Sequence, residues 1–403
     1  MSTKLDVQNP YQKPGRLFDL PYVLQLGAGP TNCTIETLNI LGSQPLTPIS
    51  NKIFEIMNDI QSMLRYLYQT KNPCTLVAQT SGTGGNETMV INLTDPGETV
   101  VVACTGSWGI RVADMARRYK LNVIELVAGP GEVFSFEELE EVLIKNKPVV
   151  LFMTHGESSG GTLQPLDGLG DICHKHNCLL AVDAVVSVGV APIFVDRWGI
   201  DAINGGSQKG LGAPPGMCLL SFSPRAYEKI VSKKHPPPQI LDVQLLASVW
   251  ACFNKQRGYV YTYSSNMLAA VRQALVHICE EGLQNVWKRH KESNELLVEL
   301  SIKELNCTHF VKKIENRFAG VNCLVLPEDV KWRIVYQYCL EKYRAEISFG
   351  IGPTANKSIR VGLLALNATP ETARYVINML KDAFDYARNN VNAPTDIEFF
   401  DGR

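Results

Sequence analysis

The feature that most constrains the fold is an alternation between residues 76 and 213. Short runs that are apolar throughout, 100–103, 149–153 and 179–182, and the mostly apolar run 123–126, which carries Glu125, are separated by longer stretches, 109–119, 135–145 and 166–176, whose apolar residues recur at helical spacing. A strand with one wet face alternates polar and apolar residues, whereas a strand apolar at every position must be covered on both sides. Helices between such strands supply the crossovers that parallel pairing requires. The expectation is an α/β protein with a mainly parallel sheet covered on both faces. An opening helix over 53–68 follows from Ile53, Ile56, Met57, Ile60, Met63 and Leu64 on one side. Two long helices, 266–281 and 283–303, come after the alternating block, and strands and helices then resume to about Asn390. Thr369-Pro370 reads as a helix start, with threonine as cap and proline in the first turn. The chain is therefore read as an extended arm (1–24), a large domain (25–280) and a smaller α+β C-terminal domain (281–403).

With 403 residues, 45% of them hydrophobic and 20% charged, the chain can build two substantial cores. A formal charge of −1 without long basic runs leaves no footprint for nucleic acid, and Lys233-Lys234-His235 is too short to make one. Eleven cysteines, scattered without CxxC pairs, suit reduced buried thiols better than disulfides or a zinc site. The opening segment lacks the apolar core of a secretion signal, and no run is apolar enough to span a bilayer. The expectation is an intracellular, cytoplasmic protein with small soluble partners and no bound metal or membrane. The terminal Asp401-Gly402-Arg403 does not match a Ser-Lys-Leu peroxisomal address, although peroxisomal and mitochondrial locations stay open.

Chemistry concentrates in a few stretches. Gly206-Ser207-Gln208-Lys209-Gly210-Leu211-Gly212 isolates one lysine among small residues. A lysine held away from solvent loses part of the stabilisation of its ammonium form, and its neutral amine can then condense with an aldehyde, most commonly pyridoxal 5′-phosphate. Upstream, the apolar run 179–182 ends in Asp183, where ligands of α/β sheets bind. A carboxylate there suits a protonated pyridine nitrogen, and capping a helix is its other reading. Thr80-Ser81-Gly82-Thr83-Gly84-Gly85 precedes a helix expected to begin near Asn86, so it reads either as a phosphate cradle or as a tight turn. It has neither the Walker spacing nor the third glycine of the dinucleotide fingerprint, which argues against a nicotinamide-dependent oxidoreductase. Trp108 follows the 100–103 strand and offers either a stacking surface or core packing. Ser158, in Thr154-His155-Gly156-Glu157-Ser158, is placed to donate to a ring oxygen, while His155 and Glu157 receive no acid–base role. Arg360 lies in a short apolar run and needs an anionic partner, either a substrate carboxylate or an internal acid.

Taken together, these residues resemble the class V, fold type I pyridoxal phosphate aminotransferases. The similar group is that of the alanine–glyoxylate and serine–pyruvate enzymes, which includes the insect 3-hydroxykynurenine transaminases. The likeness runs from Gly27-Ala28-Gly29-Pro30 to Arg360 and is strongest over 151–160, 163–166, 179–183 and the Lys209 loop. It implies that Lys209 joins the cofactor aldehyde, Asp183 pairs with the pyridine nitrogen, and Trp108 stacks on the ring, which Ser158 contacts. Ser81, Gly82, Thr83 and Gln208 would surround the cofactor, chiefly at its phosphate, and Arg360 would take the substrate carboxylate, with Gly29 and Thr47 also in the substrate pocket. It further implies a homodimer in which Tyr259 and Thr262 reach the neighbouring subunit's phosphate. The activity implied is amino transfer from alanine or serine to a 2-oxo acid such as glyoxylate or pyruvate. 3-Hydroxykynurenine transamination and a lyase or decarboxylase on the same scaffold are the alternatives. Three departures from the family pattern stand out: Thr83 where histidine is common, Val260-Tyr261 in place of two histidines, and Ala28 within the opening Gly-Pro-rich motif. Gln44-Pro45-Leu46-Thr47-Pro48 is also unusual.

Overall fold

The computed structural model describes residues 20–391. Seven strands form the central sheet: β1 (Cys74–Ala78), β2 (Thr99–Cys104), β3 (Asn122–Val127), β4 (Val150–Thr154), β5 (Leu179–Asp183), β6 (Ala202–Gly206) and β7 (Cys218–Phe222). Their order is β1-β7-β6-β5-β4-β2-β3. Every pairing is parallel except those of β7, which runs antiparallel to both β1 and β6. All positions of β4 to β7 are buried, and only the edge strand β3 is half-exposed along its length. The uniformly apolar runs are thus strands sandwiched between helical layers, as their composition demands, whereas the run 123–126, which carries Glu125, is the half-exposed edge strand.

Two expected helices differ at their starts. The one placed near Asn86 begins at Gly82 and runs to Leu93, with Ser81 as its cap accepting from the Gly84 N–H at 3.2 Å. Glycine lowers helix propensity, but packing decides here. A Cβ on Gly82 would lie 2.8 Å from Val185 Cγ2, and one on Gly85 would lie 2.1 Å from Asn204 Oδ1. The helix expected over 166–176 is confined to Leu169–Lys175, because Gly168, at φ +96°, turns the chain just before it.

A second, four-stranded antiparallel sheet joins Thr308–His309, Val321–Val325, Ser358–Gly362 and Ser348–Phe349 in that spatial order. Its core includes Leu324, Ile359, Val361, Val335, Leu380 and Phe384, together with Leu26 from the other end of the chain. Leu26 reaches it because Leu24–Gln25 pairs in parallel with Ala345–Glu346. The helix Leu283–Leu305 contributes Leu283 and Val286 to the core of the large sheet and Leu297 and Leu305 to the second core. Each such fully buried aliphatic side chain is worth about 1.5–3 kcal/mol of transfer free energy, so this helix clamps the two cores together. Pro370–Asn389 starts as the Thr369-Pro370 pair predicts, the threonine hydroxyl accepting from the Thr372 N–H at 3.1 Å.

Candidate active site

Parallel pairing brings the carboxyl ends of β4, β5 and β6 into line, with Thr154 beside Asp183 and Asp183 beside Asn204. The first turn of the Gly82–Leu93 helix and the loop after β6 close over these ends. Between them lies a cavity of about 110 Å³ lined by Ser81, Gly82, Thr83, Trp108, Ser158, Asp183, Gln208 and Lys209, all singled out in the sequence. Asn86, Gly156, Val185 and Val186 line it as well, and sequence reasoning had given them no part in the site.

Lys209 donates to the carbonyl of Ala28 and rests against Gly29, where a Cβ would fall 2.4 Å from its Cδ. Gly29 has φ +97°, a conformation that favours glycine. Burial, helped by the Arg360 charge and opposed by Asp183, pulls the Lys209 ammonium down to about 8. Asp183 is buried, which raises its carboxyl, while hydrogen bonds from Val185 N–H and the Asn86 amide work against the rise, as does Lys209. An amine shifted toward its neutral form thus shares a cavity with a hydrogen-bonded carboxylate.

Trp108 enters at the start of the Ser107–Arg118 helix and donates its indole N–H to Ser158 Oγ at 2.8 Å. Ser158 accepts that bond and keeps its own proton for another acceptor. Glu157, fully buried, takes the backbone N–H of Trp108 at 3.1 Å and that of Ser159 at 2.9 Å, and burial pushes its carboxyl up to about 6. His155 is buried against Ser187, 3.0 Å from its Oγ, and lies edge-on to Trp198; burial lowers it to about 4. Arg360 donates to the carbonyls of Phe349 (2.8 Å) and Ser158 (3.0 Å) and forms no ion pair among the described residues. Among internal acids it is attracted to Glu157, which forms no direct ion pair with it.

Tyr259, Thr262 and Thr47 are not brought to this cavity within the chain. Tyr259 and Thr262 are exposed and bonded to each other at 2.7 Å. Tyr259, Tyr261 and Pro48 line a separate cavity of about 140 Å³. All eleven cysteines are free thiols, and among the described residues no helix is long and apolar enough to cross a membrane.

The donor set fits pyridoxal phosphate. A lysine amine, a carboxylate and a tryptophan line one cavity, a helix N-terminus with a glycine-narrowed first turn lines its wall, and Gln208 Oε1 is a buried polar atom without a partner among the described residues. Comparison with known proteins agrees. The family model described as "Aminotransferase class-V" matches residues 41–374. Alanine–glyoxylate aminotransferase of Rattus norvegicus is 40% identical over 372 residues, covering 92% of this chain and 90% of the relative. The enzyme of that name from Drosophila melanogaster is 36% identical over 92% of this chain and 94% of its own length. The crystal structure of alanine–glyoxylate aminotransferase from Nostoc sp. superposes with a TM-score of 0.89 at 35% identity, covering 92% of this chain and 97% of that one. The fold, the grouping of lysine and aspartate at the strand ends and these relatives lead to one assignment: the chain belongs to the class V aminotransferase family, on the fold type I scaffold.

Proposed function

We propose that this aminotransferase is pyridoxal phosphate-dependent and moves the amino group of a small amino acid, alanine or serine, to a 2-oxo acid such as glyoxylate or pyruvate. The observation that carries the reading is the shared cavity of Lys209 and Asp183, with Arg360 close enough to bias the lysine electrostatically. Pyridoxal phosphate, when bound, supplies an aldehyde for amines and a ring that absorbs the electrons of a broken C–H bond.

The chain's own residues do the rest. Lys209 Nζ, neutral in a large fraction of molecules near pH 8, holds the cofactor and then takes and returns the α-proton of the amino acid. Asp183 keeps a proton on the ring nitrogen. With the cofactor bound, the indole of Trp108, tethered by Ser158, would cover one side of the ring and exclude water there. Arg360 is anchored through two carbonyls and offers its remaining N–H groups to the substrate carboxylate, which fixes the orientation of the α C–H bond. Ser81, Gly82, Thr83 and Gln208 serve the phosphate, and Gly29 keeps the space beside Lys209 open.

The working unit we infer is a homodimer. Ile35, Leu38, Leu46 and Ile49 are exposed, as is Tyr259, and a second copy covering them would carry Tyr259 and Thr262 to the neighbouring phosphate and Thr47 to the neighbouring substrate pocket. The eleven free thiols are in keeping with a reducing, cytoplasmic location.

The decisive experiment is borohydride trapping with pyridoxal phosphate followed by peptide mapping, then an activity matrix of amino donors against oxo acids. The expected result is a reduced adduct on Lys209, turnover that requires both substrates, and no turnover by Lys209→Ala. Continued product formation from a single amino acid without an oxo acid would mark a lyase instead. Undiminished transamination by Lys209→Ala would remove the lysine from the mechanism.

A further inference from the structure

Asp183 can serve a protonated ring nitrogen only as an anion, yet its burial favours the neutral acid. Two donors hold it. Val185 N–H occupies Oδ1 at 2.9 Å and Asn86 Nδ2 occupies Oδ2 at 2.7 Å. The first is backbone and has one possible orientation. The second belongs to a side-chain amide that presents a donor or an acceptor according to which way it is turned, so something must fix it.

Asn204 does so. It lies on β6 directly beside Asp183 in the sheet register. Its Nδ2 donates to the Gly82 carbonyl at 2.8 Å and to Asn86 Oδ1 at 2.9 Å. Both are acceptors, so Asn204 cannot be turned over without setting oxygen against oxygen. With Asn204 fixed, Asn86 must direct its NH₂ toward Asp183. Asn204 Oδ1 is left buried without a partner among the described residues, a destabilising arrangement that polar groups in folded proteins ordinarily avoid. Gly85 makes room for that oxygen, since a Cβ there would lie 2.1 Å from it. An unsatisfied acceptor retained beside a functional carboxylate, in a slot only glycine leaves open, indicates that the direction of the amide chain matters more than its stability.

We propose that Asn204 and Asn86 form a one-way amide relay whose task is to keep Asp183 ionised and aimed into the cofactor cavity, Asn86 acting on Asp183 directly and Asn204 as a positioning residue through Asn86. The inference rests on the pyridoxal phosphate reading above. The other ionisable groups that interact electrostatically with Asp183 are Lys209, Glu157 and Tyr68. Lys209 favours the carboxylate and an ionised Glu157 opposes it, so the relay works in the same direction as the lysine.

The test uses protein reconstituted with pyridoxal phosphate labelled with ¹⁵N in the ring. Asn86→Leu removes the donor. Asn204→Asp replaces the fixed donor with an acceptor, so that Asn86 turns to satisfy it and shows Asp183 an oxygen. At neutral pH the wild type is expected to give the ¹⁵N shift of a protonated ring. Both variants should move toward the neutral pyridine shift and release the cofactor with a dissociation constant raised about tenfold or more, the size of losing one hydrogen bond to a charged group. A wild-type ¹⁵N shift and unchanged cofactor affinity in the variants, even with a lowered melting temperature, would show the pair to be merely structural and overturn the proposal. If Asn86→Leu fails to fold, Asn204→Asp decides by the same two readouts. If the wild type itself takes up no cofactor, the functional reading fails first and the relay falls with it.

Discussion

Glu157 offers the sharpest check on how burial sets charge around this site. Its carboxyl is fully buried and accepts two backbone N–H groups, yet desolvation outweighs them and raises it from 4.5 to about 6. That displacement corresponds to roughly 2 kcal/mol against the ionised form. The sign follows from proton uptake. Below the unfolded value both states carry the proton. As pH rises the unfolded chain releases it first, and the folded state, binding more protons, loses stability until it ionises in turn. Wild type therefore loses about 2 kcal/mol between pH ~4.5 and ~6.5 through this residue alone. Glu157→Gln has no such dependence. Its amide turns one N–H₂ toward a backbone N–H and loses a bond, which costs about 1–3 kcal/mol at every pH and leaves the slope untouched. The difference in stability between wild type and variant should thus shrink with rising pH. In melting temperature that is about 2–3 °C for a chain of this size, read by calorimetry across the window. Two curves that stay parallel from acid to neutral pH would refute the argument that desolvation dominates at Glu157.

Other consequences are equally direct. In the cofactor-free protein, the rate at which Lys209 is trapped by an aldehyde and borohydride should climb through pH 7 and level off above about 8; a rate still climbing toward 10.5 would mean the amine is solvated. Gly29→Ala should cut the yield of Lys209 adduct at least about tenfold while circular dichroism stays native, because the new methyl overlaps the lysine at a positive φ. Arg360→Lys keeps the charge but loses the fork, so KM for the amino acid should rise about tenfold or more with cofactor affinity unchanged; an unaltered KM would take Arg360 out of carboxylate binding. Mixing inactive Lys209→Ala with inactive Tyr259→Ala subunits should restore up to roughly a quarter of wild-type activity if sites are shared across a dimer, because each mixed dimer regains one intact site. No recovery after subunit exchange would place Tyr259 outside the partner's site.

The fold was legible where burial leaves a compositional mark. Strands covered on both faces must be apolar at every position, and β2, β4 and β5 lie within one or two residues of the runs that announced them, as does the half-exposed edge strand β3 with its Glu125. The start of the Gly82–Leu93 helix was not legible, because glycine argues against a helix locally and the close approach of Val185 and Asn204 that demands it is tertiary. The site followed the same division. Lys209, Asp183, Trp108 and Ser158 could be picked out because each is a chemically distinctive residue beside a strand end, a place where parallel sheets hold ligands. Asn86 and Asn204 could not, since asparagine is commonplace and their meaning lies in a bond between residues 118 positions apart.

What the sequence could not disclose was protonation state, and here one physical cause acts on three groups with different results. Burial pulls Lys209 toward the neutral amine that chemistry on an aldehyde needs, so at the lysine desolvation and function agree. The same burial pushes Asp183 and Glu157 toward neutral acids. For Asp183 that would be disabling, and it is met by an aimed amide, a backbone N–H and a nearby cation. Glu157 also receives hydrogen bonds, from the Trp108 N–H and from the N–H and hydroxyl of Ser159, but burial outweighs them and the charge of Asp183 adds to its effect, so it titrates late. Burial raises both carboxyls, but at Asp183 a lysine acts against the rise, whereas at Glu157 the charge of Asp183 adds to it. The charge pattern of the site is therefore a property of pairs, and changing the partner, Lys209 or Asn86, should alter Asp183 more than any substitution on β5 that leaves those partners in place.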